Sequence, residues 1–147
     1  MNRSIVRMKI SDLVPHELTC AEHTEELVVG MRNDGLLWRP IAVHELGGGK
    51  YMIIDGHHRV AALTQLGCSY VMVNVVDYFS PEIRVRSWNG DGEWDKREIV
   101  EDALKNRLKS PKTTKHTITI YDVEQTFHDN DIVEPIINTP IKSLQRK

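Results

Sequence analysis

The chain has only two cysteines, Cys20 and Cys68, and no CxxC pair. A disulfide framework is not expected, and a reduced, cytoplasmic protein is the simplest inference. No apolar run approaches the roughly 18 to 20 residues of a membrane span. The opening stretch "MNRSIVRMKISDLVPHE" lacks the long apolar core of a signal peptide. Charge of one sign is missing too: a net charge of −2 argues against a nucleic-acid coat or a polybasic membrane binder. The usual zinc spacings, internal repeats and low-complexity blocks are absent. What remains is 147 residues, 40% hydrophobic and 27% charged, enough for one domain with a real core or one domain plus a small appendage.

Along the chain, "RSIVRMKISDLVPHE" reads as a short strand and a turn at Pro15. In "TCAEHTEELVVGMRNDG", Leu27, Val28 and Met31 share a helical stripe, Thr19 and Glu22 have capping-box spacing, and Gly35 is a natural stop. "RPIAVHEL" and "KYMIID" read as hairpin strands joined by the glycines at 47–49. A short helix is expected from His57 to Leu66, and "SYVMVNVVDYF" is a long β-type run. Beyond Pro81, "IRVRSWN" alternates like a strand, "NGDGEWD" is a loop, "KREIVEDALKNRLKS" is amphipathic, and "HTITIYDV" is a strand. The last 25 or so residues read as an irregular tail. The expected class is a small mixed α+β domain with a short C-terminal extension.

Three clusters carry chemistry. In "DGHHR", the backbone amides of residues 56–59 would converge where strand meets helix, a place that favours an anion. Gly56 permits close approach, Arg59 can fork onto phosphate oxygens, and His57 and His58 can donate protons. The same residues could instead serve the fold, with Asp55 capping the helix and Arg59 paired to it. In "VPHE", Glu17 is a carboxylate after a proline turn, either solvated or functional. In "LKSPKTTKHT", Lys112, Thr113, Thr114, Lys115 and His116 suit a carboxylate or phosphate ligand, or make a basic solvated turn. Trp38 and Trp88 are core or rim aromatics, or pocket walls. His23, His44 and His128 are expected at the surface, and the two thiols are expected to be structural.

Taken in order, "LVVGMRNDGLLWRPIAV" and "YMIIDGHHRVAALTQLG" resemble the N-terminal domain of the ParB/sulfiredoxin superfamily, over roughly residues 8–88. In sulfiredoxin a reactive cysteine follows the turn glycine, where this chain has His57. Partitioning ParB proteins carry a Gly-Glu-Arg-Arg type turn and a helix-turn-helix domain, for which there is no room here. The chain looks most like the free serine kinases: "PHE" at 15–17, "LLWRPI" at 36–41, "DGHHR" at 55–59, "DYF" at 77–79, Trp88 and "SPKTTKH" at 110–116 match in order. Only residues 89–110 bridge the tryptophan and the last loop, where such kinases can carry a much longer segment.

The resemblance implies a kinase that uses ADP, or ATP, to phosphorylate free L-serine. It implies Glu17 as general base and Asp55 as an orienting catalytic carboxylate. Gly56, His57, His58 and Arg59 would cradle phosphate, and Trp88, Lys112, Thr113, Thr114 and His116 would hold the amino acid. Leu36 and Leu37 would neighbour adenine. Mg²⁺ would be held through phosphates, with no direct side-chain ligand. Residues 1–88 would bind nucleotide and residues 89–147 would complete the substrate site. The expected partners are nucleotide and free amino acid, without nucleic acid or membrane. A non-enzymatic ParB-like nucleotide switch is the alternative reading. A ParB-like nuclease would need a metal-ligand cluster and a basic groove, and neither stands out.

Overall fold

The computed structural model describes residues 5–88 and 92–145. Its elements are β1 (Ile5–Lys9), β2 (Leu13–Val14), α1 (Ala21–Asp34), β3 (Leu36–Leu37), β4 (Ile41–Gly47), β5 (Lys50–Asp55), α2 (His57–Gln65) and β6 (Tyr70–Val75). There follow β7 (Ile83–Ser87), α3 (Lys96–Leu104), β8 (Thr114–Ile120), β9 (Val123–Thr126), β10 (Thr139–Pro140) and α4 (Ile141–Leu144). A five-stranded mixed sheet runs in the order β1-β6-β4-β5-β2; β7-β8-β9 form an antiparallel sheet, and β3 and β10 a short pair. This is the α+β class expected.

Period-two alternation explains how one sheet serves two cores. Ile41, Val43 and Ile53 pack with Val28 and Met31 of α1, Val60 and Leu63 of α2, and Ile141 and Leu144 of α4. Ala42, Met52 and Ile54 face the other way, onto Tyr78, Val85, Ile99, Ile118, Phe127 and Val133. Residues on both sides of position 88 therefore share this second core. The β4–β5 hairpin turns through Gly47, Gly48 and Gly49, all at positive φ as a tight reversal requires.

Several local expectations change. Helix α1 starts after Cys20, with no side-chain cap; Thr19 is not its cap. Instead the Cys20 N–H donates to His58 Nε2 at 2.9 Å, so a side chain of α2 satisfies the backbone there. The run at 70–79 leaves the sheet at Val75, and Tyr78 turns inward to full burial. Helix α3 ends at Leu104, with Asn106 at φ +56. Asp95 caps it, accepting the Arg97 N–H. "HTITIYDV" is two strands rather than one: Tyr121 and Asp122, at φ +52 and +64, reverse the chain between β8 and β9. Part of the expected strand start, Arg3 and Ser4, and of the expected loop, residues 89–91, lies outside the described residues. The expected irregular tail folds back: Phe127, Val133, Ile141 and Leu144 are buried, and β10 pairs with β3. No helix among the described residues is long and apolar enough to cross a membrane.

Candidate active site

Strand β5 ends at Asp55, and Gly56 takes φ +112 to turn directly into α2. A Cβ at Gly56 would stand 2.7 Å from Ile41 Cδ1 and 3.0 Å from Arg59 Nη2. Glycine is therefore required twice, by dihedral and by space. Gly56→Ala is expected to cost on the order of 1–3 kcal/mol, as sparsely allowed backbone does, and to weaken anion binding at the helix start. Thermal melting with and without ADP checks this. Coincident melts of variant and wild type would show that the turn does not depend on glycine.

Below this turn the two histidines act as acceptors. His57 Nε2 receives the N–H groups of His16 at 3.1 Å and Glu17 at 3.3 Å. His58 Nε2 receives Cys20 N–H. Each ring in its neutral state thus carries its hydrogen on Nδ1. Burial, with the neighbouring histidines, pushes His57 well below its ordinary range, and burial with nearby His23 lowers His58. Their side chains organise the 16–20 segment, which leaves the backbone amides at the start of α2 as the donors that an anion there would meet.

Arg59 is committed as well. Nη1 donates to the Pro40 carbonyl at 2.9 Å and the Arg39 carbonyl at 3.3 Å; Nη2 reaches Asp55 at 3.2 Å and Glu134 at 2.7 Å. The expected pairing of Arg59 with Asp55 is present, but Asp55 does not cap α2. Burial would raise Asp55, yet the Glu134 carboxyl and the Arg59 charge outweigh it and hold Asp55 below the usual carboxylate range. Glu134 is fully buried, with Oε2 lacking a hydrogen-bond partner. Burial pushes it well above the usual range. Of these two carboxyls beside one guanidinium, Asp55 is held toward its charged form and Glu134 is pushed toward its protonated form.

Across the chain, residues 16–18 run beside the loop before β8: Lys109 N–H donates to the His16 carbonyl at 3.0 Å, and Leu18 N–H to the Lys109 carbonyl at 2.7 Å. This seats the Glu17 carboxylate under that loop, where it accepts the N–H groups of Lys112 and Thr114, each at 2.9 Å, and the Thr114 hydroxyl. Burial raises Glu17 against those hydrogen bonds. His16 is fully buried, with Nδ1 2.8 Å from the Ile53 carbonyl and Nε2 3.0 Å from Thr114 Oγ1. Burial takes it down to about 4. His116 pairs with the Tyr78 hydroxyl at 2.8 Å, and burial pushes its imidazole well below the ordinary range.

These groups meet at a cavity of about 340 Å³. Glu17, Thr114, His116, Lys112 and Trp88 line it, together with residues 54–59, His23 and Leu27 of α1, and Thr126 and His128. The expected base, phosphate turn and most of the expected amino-acid loop therefore share one space. Exceptions are Thr113, whose hydroxyl donates to the Ser110 carbonyl of its own loop at 2.6 Å, and Lys115, whose ammonium lies 5.0 Å from the Trp88 ring centre. Leu37 packs in the first core and Leu36 pairs with Pro140, so neither lines the cavity. His23 and His128, expected at the surface, do line it. His16 and Tyr78 lie within the "PHE" and "DYF" matches, which gave them no role, and no local pattern marks Glu134.

Residues 2–86 match the family model of the ParB N-terminal domain. An ADP-dependent L-serine kinase of Thermococcus kodakarensis is 30% identical over 105 residues, 71% of this chain and 43% of that protein. An ATP-dependent L-serine kinase of Desulfurococcus mucosus is 32% identical over 104 residues, 70% of this chain and 41% of that protein. The chain spans about two fifths of the length of these curated relatives. A solved free serine kinase in complex with AMP superposes with a TM-score of 0.77 at 16% identity, over 95% of this chain and 93% of that one. A C-terminally truncated SbnI from Staphylococcus aureus gives 0.73 at 14% identity, over 97% and 90%. At such identities the structural likeness shows a shared fold.

Proposed function

The chain belongs to the ParB N-terminal domain family, and from that premise we propose that it is a kinase moving a phosphoryl group from ADP, or ATP, to the hydroxyl of free L-serine. The observation that carries this reading is Glu17: a buried carboxylate with a raised pKa, lining the same cavity as the amide-rich start of α2. A nucleotide switch has no use for a base in that place. The names of the curated relatives supply the substrate class.

Glu17 takes the proton of the serine hydroxyl as its oxygen attacks the terminal phosphorus. The bond from phosphorus to the bridging oxygen breaks, and AMP leaves when ADP is the donor. Little covalent help is needed; position and charge do the work. The amides of residues 56–59 hold the phosphates, and Asp55, fixed by Arg59, orients the site. His116, Trp88 and Lys112 border the amino acid. Residues 1–88 are the nucleotide-binding part, and residues 89–147 complete the substrate site.

Among the described residues no three metal-binding side chains cluster. One ionised carboxylate, Asp55, stands at the phosphate turn. That donor set fits Mg²⁺, which keeps its waters and uses one or two carboxylates plus phosphate oxygens. Bound there, Mg²⁺ would supply charge neutralisation, with Asp55 holding it through water. Both cysteines are free, which fits a reducing compartment such as the cytoplasm.

The test is to incubate the protein with Mg²⁺, L-serine and either ADP or ATP, and to look for O-phospho-L-serine. Calorimetry should show ADP binding roughly 10- to 100-fold tighter than AMP, the effect of one or two charge-assisted hydrogen bonds. Equal affinity for ADP and AMP would mean the turn does not read the terminal phosphate. Tight ADP binding without phosphoserine from either donor would leave a switch and remove the kinase.

A further inference from the structure

Glu17 and His16 are adjacent in sequence and converge on one hydroxyl. Thr114 Oγ1 touches Glu17 Oε2 on one side and lies 3.0 Å from His16 Nε2 on the other. It owns a single hydrogen. At the far edge of the His16 ring, Nδ1 faces the Ile53 carbonyl at 2.8 Å, and a carbonyl can only accept. Nδ1 therefore carries the ring hydrogen, and in a neutral ring Nε2 is bare. With Glu17 ionised, Thr114 stands between two acceptors and can serve only one. With Glu17 protonated the count closes: the carboxyl donates to Oγ1, Oγ1 donates to Nε2, and Nδ1–H donates to Ile53.

We propose that the Thr114 hydroxyl is a two-position donor, turned to Glu17 while the carboxylate is charged and to His16 once Glu17 has taken a proton. This makes Thr114 and His16 positioning residues for the base, and the inference rests on the reading of Glu17 as that base. No bond is made or broken in the switch itself; the O–H rotates. The proton that arrives on Glu17 is the one leaving the substrate hydroxyl. His16 gives the displaced hydrogen of Thr114 a place to point, so protonation of Glu17 is less costly and the carboxylate is a better base.

The surroundings favour this assignment over an imidazolium–carboxylate pair. His16 Nε2 and Glu17 Oε2 are 3.8 Å apart. His57 and His116, both neutral, meet the His16 ring edge-on at 4.6 and 5.5 Å. Burial opposes a charge on His16, and so does Lys109, while the hydrogen bond to Ile53, Asp55 and Asp102 act the other way and are outweighed. Glu17 faces Asp55, whose charge also favours the protonated carboxyl.

The switch is tested by titrating Glu17 directly, by infrared or carbon-13 NMR, on the full chain without substrate. Thr114→Val removes the donor to the charged carboxylate and should move the Glu17 midpoint up. His16→Asn keeps an N–H for Ile53 but has no acceptor at the Nε2 position, and should move the midpoint down. Thr114→Ser should restore wild-type behaviour. In wild-type protein the nitrogen-15 resonance of His16 Nε2 should shift at the Glu17 midpoint while staying in the neutral range, a reading that needs no variant. An Nε2 signal indifferent to Glu17, or one that becomes imidazolium there, overturns the switch. In turnover, His16→Asn should lower kcat about tenfold with the serine KM unchanged, the loss of the hydrogen bond that forms as Glu17 takes its proton. For Thr114→Val, a raised serine KM with kcat and the Glu17 midpoint unmoved would make the hydroxyl a substrate ligand instead. Failure of the kinase assay alone would count against the proposed reaction and leave the substrate-free titrations standing.

Discussion

Glu17→Gln is expected to lower kcat by about 10²- to 10⁴-fold, the usual contribution of a positioned general base, while ADP affinity stays near wild type. The argument rests on where the carboxylate sits. Its two oxygens accept three donors from residues 112 and 114, so its position is held from the protein side. Glutamine keeps the length but offers one accepting oxygen. Its amide must face either the Lys112 or the Thr114 N–H, a mismatch costing about 1–3 kcal/mol. Thermal melts should therefore accompany the kinetics, so that lost folding is not read as lost chemistry. The pH profile gives a second check. Burial raises Glu17, and only the ionised form is a base, so turnover should fall as pH drops through that raised value. The Gln variant should lack this limb. Turnover within a few-fold of wild type, on folded protein, would remove Glu17 from the base position.

The central sheet and its flanking helices were legible because their signals are local and periodic. Ile41, Ala42 and Val43 alternate between two cores, the glycines at 47–49 force a reversal, and Gly35 ends α1 in the left-handed conformation at φ +69. That Glu17 and the loop at 110–116 meet was implied by family resemblance; residues nearly a hundred positions apart carry no pairing signal of their own. The C-terminal tail was illegible for a related reason. Val133 belongs to no helical or strand period, and Ile141 and Leu144, three apart on the single turn of α4, are too short a stretch to signal a helix; each fills a hollow made by elements elsewhere. Tyr121 and Asp122 turn a hairpin without glycine, so no turn signal marks it. His57 and His58 look like ligands in sequence; in the fold their Nε2 atoms are backbone acceptors, a role that only tertiary contact reveals.

Glu134 is the tail residue with the largest expected effect. The segment leading to it is fixed: Asn130 Oδ1 accepts the N–H groups of Ile132 and Val133, Asn74 donates to the Val133 carbonyl at 2.6 Å, and Arg39 donates to the Glu134 carbonyl at 2.6 Å. The side chain is thereby delivered to Arg59, and Arg59 in turn holds Asp55. Glu134→Ala leaves a void and a buried guanidinium short of a partner. Losing a hydrogen bond to a buried charge costs about 1.5–3 kcal/mol and the void adds to it, a large part of the roughly 5–15 kcal/mol that keeps a domain folded. Glu134→Gln, neutral and of the same shape, stands in for the protonated acid and should stay within about 1 kcal/mol of wild type. Denaturant midpoints at constant m report both. The sign of the pH dependence separates them further. Because Glu134 is raised, the folded chain holds a proton that the unfolded chain has lost above the ordinary carboxylate range. Stability from this group therefore declines as pH rises toward the raised value, and the Gln variant should be free of that decline. ADP affinity should fall with Glu134→Ala, since Asp55 and the turn lose their support, and hold with Gln. If Gln were as damaging as Ala, Glu134 would be carrying a charge rather than a proton. If Ala cost less than about 1 kcal/mol and spared ADP binding, the C-terminal segment would have no part in building the phosphate turn.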